Sequence, residues 1–151
     1  MKLKYILILV VLILPFSFLT FEDTEVVSVK DRQLLVNQTP YFIKGICYNP
    51  VKKGRVERDF TNIDLDLALM NEAGINTIRV YSPIDDVSVL DKIAASGIKV
   101  ITSFGYNQEG YFDIVSGSYL DYVNSYKNHE AILLWELGNE YNYNAQWFDG
   151  D

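Results

Sequence analysis

The chain has 151 residues, 49% of them hydrophobic, 14% aromatic and 22% charged, with 20 acidic against 13 basic side chains and a formal net charge of −7. A hydrophobic share of this size excludes a disordered or collagen-like chain. The acidic balance offers no electrostatic footprint for phosphate, so nucleic acid is excluded as the default partner.

The N-terminus runs Met1-Lys2-Leu3-Lys4 into an apolar stretch from Tyr5 to Leu14, followed by Pro15. A short basic region, an apolar core and a helix breaker match a secretory signal. The stretch falls short of the roughly 20 apolar residues of a comfortable membrane span. Residues 1–21 are therefore read as a signal peptide, which implies a secreted or periplasmic protein. No small-x-small cleavage site stands out near Thr20, so an uncleaved membrane tether through residues 5–19 is the alternative. Cys47 is the single cysteine. It can form no internal disulfide and reads as a small buried residue of a strand.

Two short alternating stretches, Val26–Lys30 and Gln33–Val36, precede a turn at Asn37–Pro40, so residues 22–41 read as a small hairpin lead-in. The main unit, residues 42–151, begins with an apolar strand at Phe42–Tyr48, closed by Asn49-Pro50. Lys52-Lys53-Gly54-Arg55 is most simply a solvated loop. Phe60, Ile63, Leu67 and Met70 then share one face of a helix, with Thr61 and Asp64 as its capping box and Gly74 as its C-terminal cap. A second strand follows at Ile75–Tyr81. The unit repeats: Asp85 or Asp86 caps a helix that turns Leu90, Ile93 and Ala94 inward, Gly97 ends it, and Ile98–Phe104 is a third strand. A third helix carries Tyr119, Tyr122, Val123 and Tyr126 on one stripe. Ala131–Leu137 is the fourth strand.

Strands alternating with helices imply an α/β fold with right-handed crossovers and a parallel sheet. A doubly wound open sheet and the first half of an eight-stranded barrel both fit. No glycine-rich phosphate loop follows any strand, which counts against a nucleotide-binding sheet. Polar and aromatic residues gather at the strand C-termini: Tyr48, Arg79 with Tyr81, Phe104 with Tyr106, and Glu140.

The most informative stretch is Asn128 to Glu140, where an apolar strand ends in Gly138-Asn139-Glu140. A carboxylate at such an edge is partly desolvated, which raises its pKa and lets it hold a proton near neutral pH. A neighbouring Asn can hydrogen-bond a sugar hydroxyl. Together these are a proton donor for a glycosidic leaving oxygen and a grip on the sugar. His129, the lone histidine, lies in the turn before this strand, where stabilising the turn suits it better than binding metal. No metal site and no cofactor are expected.

With its preceding Asn-His and Trp, the strand ending in Gly-Asn-Glu resembles the acid/base signature of glycoside hydrolase family 2 and, more broadly, of the clan A glycosidases, which are TIM (β/α)8 barrels. Phe42–Tyr48 resembles the first barrel strand of that group. Gly74–Pro83 resembles the second, and is also similar to the β-1,3-glucanosyltransferases of family 72. The resemblance spans roughly residues 33–140. It implies the first half of a TIM barrel, about four β/α units, preceded by the short hairpin. It departs from the family 2 pattern at Glu130 (usually Pro or a small residue) and at Glu136 (usually Ser or Gly, though Glu is common there in family 5). Tyr141 replaces the Pro or Val often found after the acid/base in family 5.

By this resemblance Glu140 is the general acid/base, Asn139 holds the sugar 2-hydroxyl and Arg79 orients the nucleophile. Tyr48, Tyr106 and Tyr141 are expected to contact substrate, and Tyr111, Tyr143 and Trp147 lie near the same edge. Each role has a plainer rival: Glu140 as a solvated loop carboxylate, Arg79 paired with an acid such as Asp85, Asn139 capping a helix. Glu136 is read as a structural ion-pair partner rather than a reactive group. The resemblance implies an exported retaining glycosidase or transglycosidase acting on a polysaccharide or oligosaccharide. Its nucleophile would be a Glu at the end of a seventh strand; Glu109 and Asp113 are poor substitutes, so the 151 residues by themselves are expected to be inactive. A non-catalytic carbohydrate-binding or cell-surface module is the alternative from a different class.

Overall fold

The structure is a computed structural model that describes residues 26–105, 114 and 116–139. The signal-like segment lies outside these residues. Among them, no helix is long and apolar enough to cross a membrane.

The lead-in is a three-stranded antiparallel sheet of β1 (Val27–Lys30), β2 (Gln33–Val36) and β3 (Thr39–Pro40). Positive φ at Asp31 and Arg32, and again at Asn37 and Gln38, gives two tight turns whose twist matches that of the flanking strands. The expected turn at Asn37–Pro40 is thus only two residues long. Thr39 and Pro40 pair back with Val36 and Leu35, and Pro40 is tolerated because β3 is an edge strand.

The main unit alternates β4 (Gly45–Cys47), α1 (Ile63–Glu72), β5 (Thr77–Val80), α2 (Val87–Ala95), β6 (Lys99–Phe104), α3 (Tyr119–Tyr126) and β7 (Ile132–Leu137). The four strands form one parallel sheet in the order β4-β5-β6-β7. Each crossover therefore steps the same way, with no reversal of the kind a doubly wound sheet requires. Sequential order, with apolar side chains packed against helices on one face and polar side chains gathered on the other, is the pattern of consecutive barrel strands.

Period-two alternation builds both faces. Ile78, Val80, Val100 and Phe104 point outward and are fully buried, packed with Ile63, Leu67 and Met70 of α1, Val89, Leu90 and Ile93 of α2, and Tyr122 of α3. Trp135 faces the same side, against Phe104 and Tyr122. The two helix-to-strand turns are closed identically. Gly74, at φ +74°, and Gly97, at φ +76°, adopt a backbone that other residues avoid. Ile75 then donates back to the Met70 carbonyl and Ile98 to the Ile93 carbonyl.

The helix starts differ. Asp86 caps α2, its carboxylate accepting from the Ser88 amide at 2.9 Å. The Thr61–Asp64 box expected for α1 is not formed. The N-cap position is Asn62, without a side-chain cap bond, and Thr61 instead donates its amide and hydroxyl to Asp59. An acceptor two residues upstream has captured the group that would have capped the helix.

Candidate active site

The inner face of the sheet carries a charged network at the C-terminal ends of three strands. In the ladder Arg79 of β5 lies beside Ile101 of β6, and Ser103 of β6 beside Glu136 of β7. All point inward because they share the parity opposite to Ile78, Val80 and Val100. Arg79 donates Nε to Glu136 Oε2 at 2.6 Å and Nη2 to Oε1 at 2.8 Å, a two-pronged pair that only the planar guanidinium makes. Ser103, fully buried, donates its hydroxyl to the same Oε2 at 2.5 Å. Arg79 Nη2 also donates to Asn139 Oδ1 at 2.9 Å. Its guanidinium carbon lies 4.5 Å from the centre of the Tyr81 ring, within cation–π range.

The electrostatics follow from these contacts. The hydrogen bonds from Arg79 hold the Glu136 carboxyl below the usual carboxylate range, and the Ser103 bond adds to this against partial burial. Glu136 in turn raises the Arg79 pKa further above its already high ordinary value. A carboxylate that accepts three hydrogen bonds and stays ionised cannot serve as a proton donor at neutral pH. Glu136 is thus an ion-pair partner, as expected from the sequence, and its partner is Arg79.

Several expectations are corrected. Arg79 does pair with an acid, as its plainer reading has it, but the acid is Glu136, 57 residues away, and not Asp85. Asp85 instead lies in the field of Arg58. Tyr48 is not on the sugar-facing side. One residue beyond the inward-facing Cys47, its ring is buried in the helix layer against Phe60, and its hydroxyl donates to Asp66 of α1 at 2.6 Å. Burial, reinforced by the Asp66 carboxylate, pushes that phenol's pKa well above its ordinary value. Cys47, expected to be buried, is exposed on the inner face beside Arg79. Asn139 Oδ1 accepts from Arg79, and any helix that Asn139 would cap lies outside the described residues. His129 does stabilise its turn, with Nδ1 accepting from the Ala131 amide at 3.1 Å and Nε2 meeting Asp91 at 3.2 Å. Glu140, Tyr106, Glu109, Tyr111, Asp113, Tyr141, Tyr143 and Trp147 lie outside the described residues. No cluster of three potential metal ligands among His, Cys, Asp and Glu occurs among the described residues.

Two residues escaped the sequence reading. Ser103 was legible in principle, because alternation along β6 sets it inward beside the strand that ends in Asn-Glu. Arg58 gave no such signal. It reaches from the loop after β4 to the loop after β5, donating to the Ser82 and Pro83 carbonyls at 2.9 and 2.5 Å, with Phe60 beneath its guanidinium. Together these loops wall a cleft of about 810 Å³ lined by Asn49, Glu57, Arg58, Phe60, Tyr81 and Asp85. Tyr81 links this cleft to the network by stacking on Arg79.

A family model described as Glycosyl hydrolases family 2, TIM barrel domain, matches residues 27–149. The chain belongs to glycoside hydrolase family 2. The sheet is accordingly that of the first four β/α units of the family 2 barrel, and the charged network lies at the C-terminal face of its strands. The family 2 chain is also 32% identical over 101 residues to a 1,3-beta-glucanosyltransferase of Saccharomyces cerevisiae (GAS4), covering 60% of this chain and 21% of that protein. Its fold matches a beta-glucuronidase of Parabacteroides merdae with a TM-score of 0.61 at 19% identity, over 79% of this chain and 16% of that one. A family 2 beta-galacturonidase of Eisenbergiella tayi matches with a TM-score of 0.62 at 22% identity, over 77% of this chain and 23% of that one. The chain thus spans about a fifth of the length of these relatives.

Proposed function

We propose that this family 2 barrel serves a retaining glycosidase or transglycosidase that cleaves O-glycosidic bonds in a polysaccharide or oligosaccharide, with Glu140 as general acid/base. Asn139 would hold the sugar 2-hydroxyl. Arg79 would support the nucleophilic carboxylate, which in a retaining site stands about 5–5.5 Å from the acid/base. Glu140 would first protonate the leaving oxygen and then, as a base, activate the water or acceptor sugar that releases the glycosyl group. Tyr106 and Tyr141 would stack on sugar rings. Export through residues 1–21 belongs to the same reading.

One observation carries it. The Arg79 guanidinium holds Asn139, the residue immediately before Glu140, at the C-terminal mouth of the barrel strands. Full-length protein should turn over an aryl β-glycoside or a laminari-oligosaccharide. Glu140→Gln should lower that rate by about 10²–10⁴-fold while sugar binding persists. Turnover unaffected by Glu140→Gln would overturn the assignment. Binding of sugar with no turnover by either protein would favour a carbohydrate-binding module.

A further inference from the structure

We propose that Glu136 is a positioning residue, acting through Arg79, that sets which end of the Asn139 amide faces the sugar. This rests on the reading of Asn139 as a sugar ligand. The two ends of an amide side chain are nearly the same size, so only the neighbouring hydrogen bonds decide its orientation. A guanidinium has donors and no acceptor. Arg79 Nη2, 2.9 Å from Asn139, can therefore accommodate only Oδ1, which turns both Nδ2 hydrogens away from Arg79.

That selection is only as good as the placement of Arg79, and Glu136 fixes it. Two parallel bonds at 2.6 and 2.8 Å lock the guanidinium plane, and the fully buried Ser103 anchors the carboxylate to β6 at 2.5 Å. Order thus passes from Ser103 to Glu136 to Arg79 to Asn139 across three strands. A glutamine at position 136 would set an NH2 group against the donor-only guanidinium, breaking the fork. Arg79 would keep its charge but lose its orientation. The Asn139 amide would then be free to present either end.

The test uses full-length protein in a Glu140→Gln background, so that nothing is turned over. Phenyl β-D-glucoside and its 2-deoxy counterpart are titrated with and without Glu136→Gln. The side-chain amide resonances of Asn139 are followed by NMR. We expect Glu136→Gln to weaken phenyl β-D-glucoside about fivefold, the effect of one misdirected hydrogen bond. The 2-deoxy sugar should bind unchanged, and the Asn139 resonances should shift. Equal weakening of both sugars, or an unmoved Asn139 signal, overturns the proposal, because a general loss of structure would not single out the 2-hydroxyl. If the parent does not distinguish the two sugars, Asn139 is not the 2-hydroxyl ligand. The Asn139 resonances then judge the positioning role alone, supporting it if they move and rejecting it if they do not. Should Glu136→Gln fail to fold, Ser103→Ala removes one of the three bonds to the same carboxylate and runs the test at smaller amplitude.

Discussion

Strand β5 ends in a polar cluster at both its edges, and the two are built on opposite principles. At the N-terminal edge Asn76 is consumed by its neighbours. Its Nδ2 donates to the Phe42 carbonyl at 2.8 Å, and its Oδ1 accepts from the Lys44 amide at 2.8 Å and from the Thr77 hydroxyl at 2.9 Å. Tyr41 closes the cluster, 2.7 Å from the Asn76 carbonyl and 3.0 Å from Thr77. These groups are neutral, and most of the partners are backbone atoms. At the C-terminal edge Arg79, Glu136, Ser103 and Asn139 are joined side chain to side chain across three strands, and the pair at the centre is charged and only partly buried. A neutral cluster whose bonds run mostly to backbone atoms fixes register. A charged network that holds one end of an amide leaves the other end for a ligand. The split matches the general division of barrels into a stabilising N-terminal face and a chemical C-terminal face.

The sharpest test of that division is stability. Asn76→Ala removes three side-chain hydrogen bonds and strips a backbone donor and a backbone acceptor of their partners. It should cost about 2–3 kcal/mol in denaturant unfolding. Arg79→Ala should cost less, about 1–2 kcal/mol, because the pair is 21% and 33% exposed at its two side chains and water screens what is lost. If Arg79→Ala proves the more damaging, the C-terminal network is also holding the fold and the contrast fails. The combination of Arg79→Ala with Glu136→Ala should cost less than the sum of its parts, since each single change leaves a charge without its partner.

What the sequence made legible follows the same physics. The α1 and α2 faces were readable because Ile63, Leu67, Met70, Leu90 and Ile93 each meet a single continuous core, so apolar spacing and burial coincide. The ends of β4 were not. Phe42–Tyr48 reads as one apolar strand, but only Gly45–Cys47 joins the ladder, because the Asn76 side chain takes the Phe42 carbonyl and Lys44 amide that a longer strand would use. Cys47 reads as buried and Tyr48 as substrate-contacting, and the structure reverses both for a related reason. Every residue of β4 is exposed, so burial marks neither face, and alternation separates neighbours without saying which one faces the helices. The link between Arg79 and Glu136 spans 57 residues and depends on strand order, which no local pattern encodes. Glu136 could be read as a structural ion-pair partner, whereas the identity of its partner required the sheet.

A smaller effect distinguishes the two edges by pH. Glu136 is held below the ordinary carboxylate range by Arg79, so it contributes stability that is fully present above its unfolded pKa of about 4.3. That contribution is lost as pH falls from there through the depressed folded value. The stability difference between the parent and Glu136→Gln should therefore be flat from pH 7 to about pH 5 and shrink below it. Asp59 and Asp86 are also depressed, by hydrogen bonds from Lys52 and Ser88 respectively, but both are common to the two proteins and cancel in the difference. The difference between the parent and Asn76→Ala should show no such slope, since that cluster contains no carboxylate. A slope there would mean the two edges are electrostatically coupled.

The finest contrast lies within one strand. Thr102 and Ser103 are consecutive, both are essentially inaccessible, and they point to opposite faces of β6. The Ser103 hydroxyl is bonded to Glu136, whereas the Thr102 hydroxyl, on the helix side, is buried with no hydrogen-bond partner among the described residues. An unpaired buried hydroxyl destabilises the fold, and a methyl in its place would sit among apolar neighbours without that penalty. Ser103→Ala should therefore destabilise by about 1 kcal/mol, and Thr102→Val should stabilise by about 0.5–1 kcal/mol. Thermal unfolding of the two variants should shift in opposite directions. If Thr102→Val is also destabilising, the outer face holds a polar partner for that hydroxyl, and the separation of a polar inner face from an apolar outer one does not extend through β6.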